Sequence, residues 1–222
     1  MAKTRTQLLA NIRFKLDTKT AGGLWGDSLD TYIWDAMTTT WPLLPNSCFT
    51  SDIRGATDFT ISSPVADSKI QYYVRGVTDM RVLSLMHTCV SPAVSKRVVV
   101  LPDLGALYSN MEISNNWTAG ISTTYGVVEN DQIWVGPVSA SDIVTEHFIT
   151  KPVEMTADTH TLKLADDYAH VIEDYAVYLA LRQVGSPRAD TVLRDWKANM
   201  ASIWQTFSNA PLPAYLAVPR QK

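Results

Sequence analysis

The stretch from Leu164 to Phe207, LADDYAHVIEDYAVYLALRQVGSPRADTVLRDWKANMASIWQTF, constrains this chain more than any other. It predicts two consecutive amphipathic helices. In the first, Tyr168, Val171, Ile172, Tyr175, Leu179 and Leu181 recur at three- and four-residue steps, the period of a helix with one apolar face. Ala169, Ala176 and Ala180 form a slim flank along which another element can approach closely. Gly185-Ser186-Pro187 supplies the break: glycine past the helix end, serine as N-cap, and proline at the first position of the next helix. In the second helix Val192, Leu193, Trp196, Met200, Ile203, Trp204 and Phe207 make one stripe. Two tryptophans on that stripe imply a large buried contact, within the chain or between subunits.

The start of the chain is also helical in pattern. Between Thr4 and Asp17, Leu8, Leu9, Ile12 and Leu16 recur on one face, with Phe14 beside them. Gly22-Gly23 breaks that helix. A second helix follows, with Leu29, Tyr32, Ile33, Ala36 and Met37 inward and Pro42 and Pro45 ending it. From Cys48 to Val153 the period changes. Short runs rich in Val, Ile, Tyr, Thr and Trp alternate with Gly, Pro, Asn, Asp and Ser clusters, the pattern of antiparallel sheets in a sandwich or barrel. The clearest hairpin is YGVVENDQIWV, turning at Glu129-Asn130-Asp131-Gln132. ALYSNMEIS, from Ala106, is read as one of the strands.

Helices, then strands, then helices argue for an α+β fold. The expected architecture is a bundle of terminal α-helices with a large inserted antiparallel β-sandwich or barrel-like domain and an extended C-terminal tail. The segments are residues 1–47 (N-terminal helices), 48–160 (β domain), 161–208 (C-terminal helical pair) and 209–222 (tail). Helices with one apolar face need partners, so Leu9, Ile12 and Leu16 are expected to pack with Tyr175, Leu179 and the Val192/Trp196/Met200 stripe.

Composition narrows the function classes. With 46% hydrophobic and 18% charged residues over 222 positions, the chain is globular, and a low charge content with seven Trp hints at an assembled protein. A net charge of −3 without a Lys/Arg block argues against direct nucleic-acid binding. Cys48 and Cys89 form no disulfide framework and read as free thiols in a reducing compartment. No apolar leader and no run of membrane-span length is visible, so synthesis in a cytosol and no membrane partner are expected.

Nothing in the chain assembles a catalytic constellation. Asp166, Asp167, His170, Glu173 and Asp174 cluster at a helix start, and His170 and Asp174 stand at a spacing that can chelate a metal. The simpler reading is a solvated face matched to the helix dipole. His87 and Cys89 share one face of a predicted strand, pointing in parallel and not toward each other, so a nucleophilic dyad is not expected. There is no phosphate-binding glycine loop. Catalytic residues, cofactors and metals are therefore all expected to be none. Trp34 lies next to Ile33, about a third of a turn away. It either caps a wide buried face or is presented to a neighbouring subunit.

Three stretches carry a resemblance. The first is the leading helix followed by Trp25-Gly-Asp-Ser-Leu-Asp-Thr-Tyr-Ile-Trp-Asp-Ala-Met. The second is QIWVGPVSASDIVTEHFITKPVEM, where a strand ends at Gly136-Pro137 and the next leads into Lys151-Pro152. The third is the helix Leu164-Ala-Asp-Asp-Tyr-Ala-His-Val-Ile-Glu-Asp-Tyr-Ala-Val-Tyr-Leu-Ala-Leu with a second helix after it. Together they resemble the head-to-tail adaptor proteins of tailed, especially short-tailed, bacteriophages. Ala165 stands where many relatives have Pro, and residues 53–111 have no counterpart that aligns. The resemblance implies a non-enzymatic structural virion protein, made in the host cytoplasm and located at the head-tail junction. It would form a ring with itself, a dodecamer by portal symmetry. That ring would bind the portal protein above and a tail or nozzle protein below, with DNA passing through its channel without specific binding.

The tail fits such a role. Pro211, Pro213 and Pro219 bias it toward an extended chain, and Leu212, Tyr215, Leu216 and Val218 are costly to leave in water. These residues are expected to reach a neighbouring subunit or the portal, with Arg220 and Lys222 pairing with acidic groups there. The alternatives are another structural subunit of a phage tail or capsid, a ligand- or carbohydrate-binding β-sandwich module, and a hydrolase with dispersed carboxylates.

Overall fold

A computed structural model describes residues 2–17, 28–62, 70–75, 80–91, 93–112, 123–129 and 131–207. The chain is α+β, with five α-helices and two four-stranded sheets among the described residues. It divides into two compact units. Met1–Ile53 and Pro152–Lys222 make one, and Arg54–Lys151 makes the other. No helix among the described residues is long and apolar enough to cross a membrane.

The first unit holds α1 (Arg5–Lys15), α2 (Ser28–Thr40), α4 (Ala169–Gln183) and α5 (Arg188–Phe207). Thr4 caps α1 in a reciprocal box: its hydroxyl accepts from the Gln7 amide, and the Gln7 side chain accepts from the Thr4 amide at 2.9 Å. Leu8, Leu9 and Ile12 are buried on α1, and Leu29, Tyr32, Ile33, Ala36 and Met37 on α2. Backbone bonds stitch the N-terminal part of the unit to residues 160–165. The Arg5 amide donates to the His160 carbonyl at 2.9 Å, Leu162 to Lys3 at 2.8 Å and Ala165 to Cys48 at 2.9 Å. Gly185 sits at φ +66°, a left-handed conformation that glycine adopts without a Cβ clash, and ends α4 as its position in Gly-Ser-Pro predicts.

Helix α4 is the centre of this unit. It packs against α1, α2 and α5. Its alanine flank is its most buried part: Ala169, Ala176 and Ala180 are fully enclosed, because small side chains let neighbouring helices close in. Tyr175 and Leu179, expected at the core, are half-buried. Phe14 on α1 is 83% exposed, so its turn of the helix faces solvent and not the core. On α5 only Ala189, Trp196, Met200 and Ile203 are buried; Val192, Leu193 and Trp204 are half-buried and Phe207 is exposed.

In the second unit one sheet has the order β1 (Arg54–Thr60), β8 (Ile143–Thr150), β3 (Met80–Cys89), β4 (Val94–Arg97), all antiparallel. The other runs β2 (Gln71–Val74), β7 (Gln132–Gly136), β6 (Tyr125–Glu129), β5 (Val99–Val100). It is antiparallel except for the β5–β6 pair, which is parallel. The run KRVVV therefore changes sheet at Val98 instead of forming one strand. Both sheets contribute to one buried cluster, with Leu85 and Val144 from the first and Ile133 and Val135 from the second. Gly126 is required beside it, since a Cβ there would lie 2.9 Å from Val98 Cγ1.

Two segments expected to be strands are helical. Residues 104–112 form α3 (Leu104–Glu112), capped by the Asp103 carboxylate, which accepts from the Ala106 amide at 2.8 Å. Leu104, Leu107 and Met111 then reach Val127, Tyr125 and Trp134 of the second sheet. Between Asn46 and Ile53 the chain makes two 3-10 turns, so the β unit begins at Arg54. It ends at Lys151, and both flanks of the expected 48–160 span belong to the helical unit.

Candidate functional site

The densest group of chemically versatile side chains lies inside the β unit. Leu85, His87 and Cys89 alternate along β3, so all three face the interior. On the neighbouring strand Val144 and Glu146 face inward too, and Asp142 continues that alternation just before β8. The antiparallel register sets His87 opposite Val144. Thr124, just ahead of β6, comes from the other sheet.

The His87 ring joins these elements. Its Nε2 lies 2.9 Å from Asp142 Oδ2, and its Nδ1 lies 2.7 Å from Thr124 Oγ1. Asp142 is anchored further by the Val90 amide at 3.1 Å and the Ser139 amide at 2.8 Å. Cys89 Sγ lies 3.6 Å from Nε2 and 3.8 Å from Nδ1. The two residues therefore touch, against the expectation that they only point in parallel. A sulfur nearly equidistant from both nitrogens lies on neither nitrogen's lone-pair axis, so it is not poised as a thiolate–imidazolium dyad.

A carboxylate–imidazole–hydroxyl string is also the atom order of a hydrolase triad. Here His87, Cys89, Thr124 and Asp142 are each at most 2% exposed, which leaves a substrate no approach to the hydroxyl or the thiol. With a neutral imidazole every polar atom of the string is satisfied, the condition under which burying it carries little penalty. As hydrogen bonds alone, the string clasps β3, the segment before β8 and the segment before β6.

A second polar cluster lies in the helical unit. Glu173, expected on a solvated face, is buried. Its Oε1 accepts from Lys3 Nζ and Asn11 Nδ2, both at 2.8 Å, and its Oε2 from Lys15 Nζ at 2.9 Å. Lys15 also reaches Asp174 at 2.7 Å. The cause is the packing of α1 on the face of α4 opposite its apolar stripe. Asn11 and Lys15, four residues apart on α1, form the matching donor face and were the sequence signal for it.

Burial alone would raise the Glu173 pKa, but hydrogen bonds from Asn11, Lys3 and Lys15 outweigh it and hold the carboxyl below its ordinary value of 4.5. That stabilisation is present above pH 4.5 and is lost as pH falls through the lower folded-state pKa. Burial lowers the Lys15 pKa, yet hydrogen bonds to Asp174 and Glu173 raise it above 10.5 overall. Its contribution is full below that pH and is lost on rising through the folded-state value. Glu173→Gln should cost about 1–3 kcal/mol at neutral pH, discounted because both lysines are partly exposed. It should also flatten the fall in melting temperature below pH 4.5. Melting curves from acid to neutral pH for both proteins check this; an unchanged acid limb would mean that Glu173 gains nothing from its partners.

The other acidic residues at the start of α4 separate. Asp166 and Asp167 are exposed in a 3-10 turn, His170 Nδ1 lies 2.8 Å from the Asp167 carbonyl, and Asp174 turns to Lys15. The His170/Asp174 chelate is not formed. Trp34 is half-buried on α2. Leu212, Tyr215, Leu216, Val218, Arg220 and Lys222 lie outside the described residues. No family model and no curated protein matches the chain.

Proposed function

We propose that this protein is a structural head-to-tail adaptor of a tailed phage virion, a ring-forming subunit beneath the portal that extends the DNA channel. One observation carries the proposal: helices from both chain ends share a single compact unit, with the β unit inserted between them along the chain. That is the organisation the resemblance implies. On this reading the terminal helices are a bundle, the two sheets a β-sandwich, and Trp34 and the tail residues Leu212, Tyr215, Leu216, Val218, Arg220 and Lys222 subunit or portal contacts. The protein turns over no substrate, needs no cofactor for this role, and lets DNA slide past a neutral to acidic wall. Burial of the His87 string supports a non-enzymatic reading over a hydrolase. The stacking of Tyr72 on Trp134, at 4.7 Å, weighs against a sugar-binding platform, since those rings face each other.

The test looks for a portal gene beside this chain's gene and mixes the two purified proteins. Native mass spectrometry and electron microscopy should give a ring of the portal's symmetry in the mixture. Deleting residues 211–222 should leave the melting temperature nearly unchanged and abolish joining. A protein that stays monomeric and ignores the portal, or that binds duplex DNA tightly with a steep salt dependence, overturns the proposal.

A further inference from the structure

We propose that His87, Cys89 and Asp142 form a buried zinc-binding site in the β unit. The ligand atoms of these three residues all lie within 4.8 Å of one another. Imidazole, thiol and carboxylate together are the donor types that suit zinc and ill suit magnesium or calcium. Cys89 Sγ lies 3.6 Å from His87 Nε2 and 3.8 Å from Nδ1, off the Nε2 lone-pair axis. A metal held on Nε2 therefore requires the Cys89 side chain to turn about its Cα–Cβ bond toward Asp142. Bonds of about 2.3 Å to sulfur and 2.05 Å to nitrogen then place Sγ and Nε2 about 3.5 Å apart.

The surroundings are those of ligands held from behind. A ligating histidine donates its other ring N–H to an oxygen, which fixes the tautomer and aims the free nitrogen at the metal. Thr124 Oγ1, 2.7 Å from Nδ1, stands where that oxygen is needed, and Nε2 is the nitrogen turned toward Asp142. The Val90 and Ser139 amides grip the Asp142 carboxylate in the same way. Charge balances as well. A dication with one thiolate and one carboxylate is neutral, the only inexpensive state at full burial. Binding releases one proton, from the Cys89 thiol. The imidazole stays neutral, its proton now on Nδ1 and donated to Thr124. Three protein donors leave one position of the ion to a small ligand. The site ties β3 to the segment before β8, and through Thr124 to the second sheet.

Metal analysis decides between a zinc site and a clasp made of hydrogen bonds alone. The full chain, prepared without a polyhistidine tag and equilibrated with zinc, should retain one ion per chain after gel filtration. Cobalt(II) in place of zinc should give a near-ultraviolet thiolate-to-cobalt band. Cys48→Ala should keep that band, because Cys48 belongs to the other unit. Cys89→Ser should lose it, and chelator should lower the wild-type melting temperature. The wild-type cobalt spectrum needs no variant to fold. Absence of the band and of stoichiometric zinc in the wild type overturns the proposal, as does a Cys89→Ser protein that keeps its full zinc content.

Discussion

Arg75→Met should destabilise the protein by about 3–5 kcal/mol, although the new side chain is apolar and similar in length. Arg75 and Glu146 form an ion pair in the interior of the β unit, with Nη2 to Oε1 at 2.7 Å and side chains 3% and 1% exposed. Glu146 is on the inward row of β8, next to Val144, a position the strand's alternation would assign to an apolar residue. The ion-pair contact lies off the hydrogen-bond direction, and neither carboxylate oxygen has a hydrogen-bond donor among the described residues. Arg75 is thus the cation on which the Glu146 charge depends. Tyr73, on β2 just ahead of Arg75, registers that charge: burial first, and Glu146 second, push its phenol pKa upward. Removing the cation strands the carboxylate. Removing both charges does not, and Arg75→Met/Glu146→Leu should recover most of the loss. Urea denaturation of the wild type, both single variants and the pair measures the coupling. A single-variant cost below about 1 kcal/mol would mean that water reaches Glu146.

What was legible in the sequence followed from period. The inward faces of α1 and α2, the Gly-Ser-Pro break and the hairpin pairing Glu129 with Gln132 are all local, and neighbouring residues determine them. What was missed depends on partners distant in sequence. Glu173 looks solvent-facing until α1, with Lys3, Asn11 and Lys15, closes over it. Helix α3 carries the capping signal Asp103 before Leu104, yet its β-branched and aromatic surroundings hid the three- and four-residue spacing of Leu104, Leu107 and Met111. The His87 cluster could be half read. Alternation puts His87 and Cys89 on one face, but no local pattern brings Asp142 to Nε2 or Thr124 to Nδ1, residues 55 and 37 positions away. The bulge between Val82 and Ser84 matters here too, because a one-residue shift decides which face of β3 turns inward.

Trp196→Ala should cost about 3–5 kcal/mol, and Trp196→Phe should recover the larger part of it. Trp196 is the one residue of the α5 stripe that makes both an apolar and a polar contact with α4. Its ring lies 4.8 Å from that of Tyr175, and its Nε1 donates to the Val171 carbonyl at 3.1 Å. Only 4% of it is exposed. Alanine removes the ring and leaves a cavity between the two helices, whose neighbours collapse only in part because Met200 and Ile203 hold the next turn in place. Phenylalanine keeps the ring contact with Tyr175 and loses the hydrogen bond, a loss of about 1 kcal/mol, as α4's own ladder already satisfies the Val171 carbonyl. Denaturant unfolding monitored by far-ultraviolet circular dichroism separates these contributions without relying on tryptophan fluorescence. If Phe and Ala cost the same, the Nε1 bond and not the packed ring holds α5 on α4. If both are nearly neutral, the stripe of α5 is not a core face, and its half-buried Val192, Leu193 and Trp204 belong to a contact with another subunit.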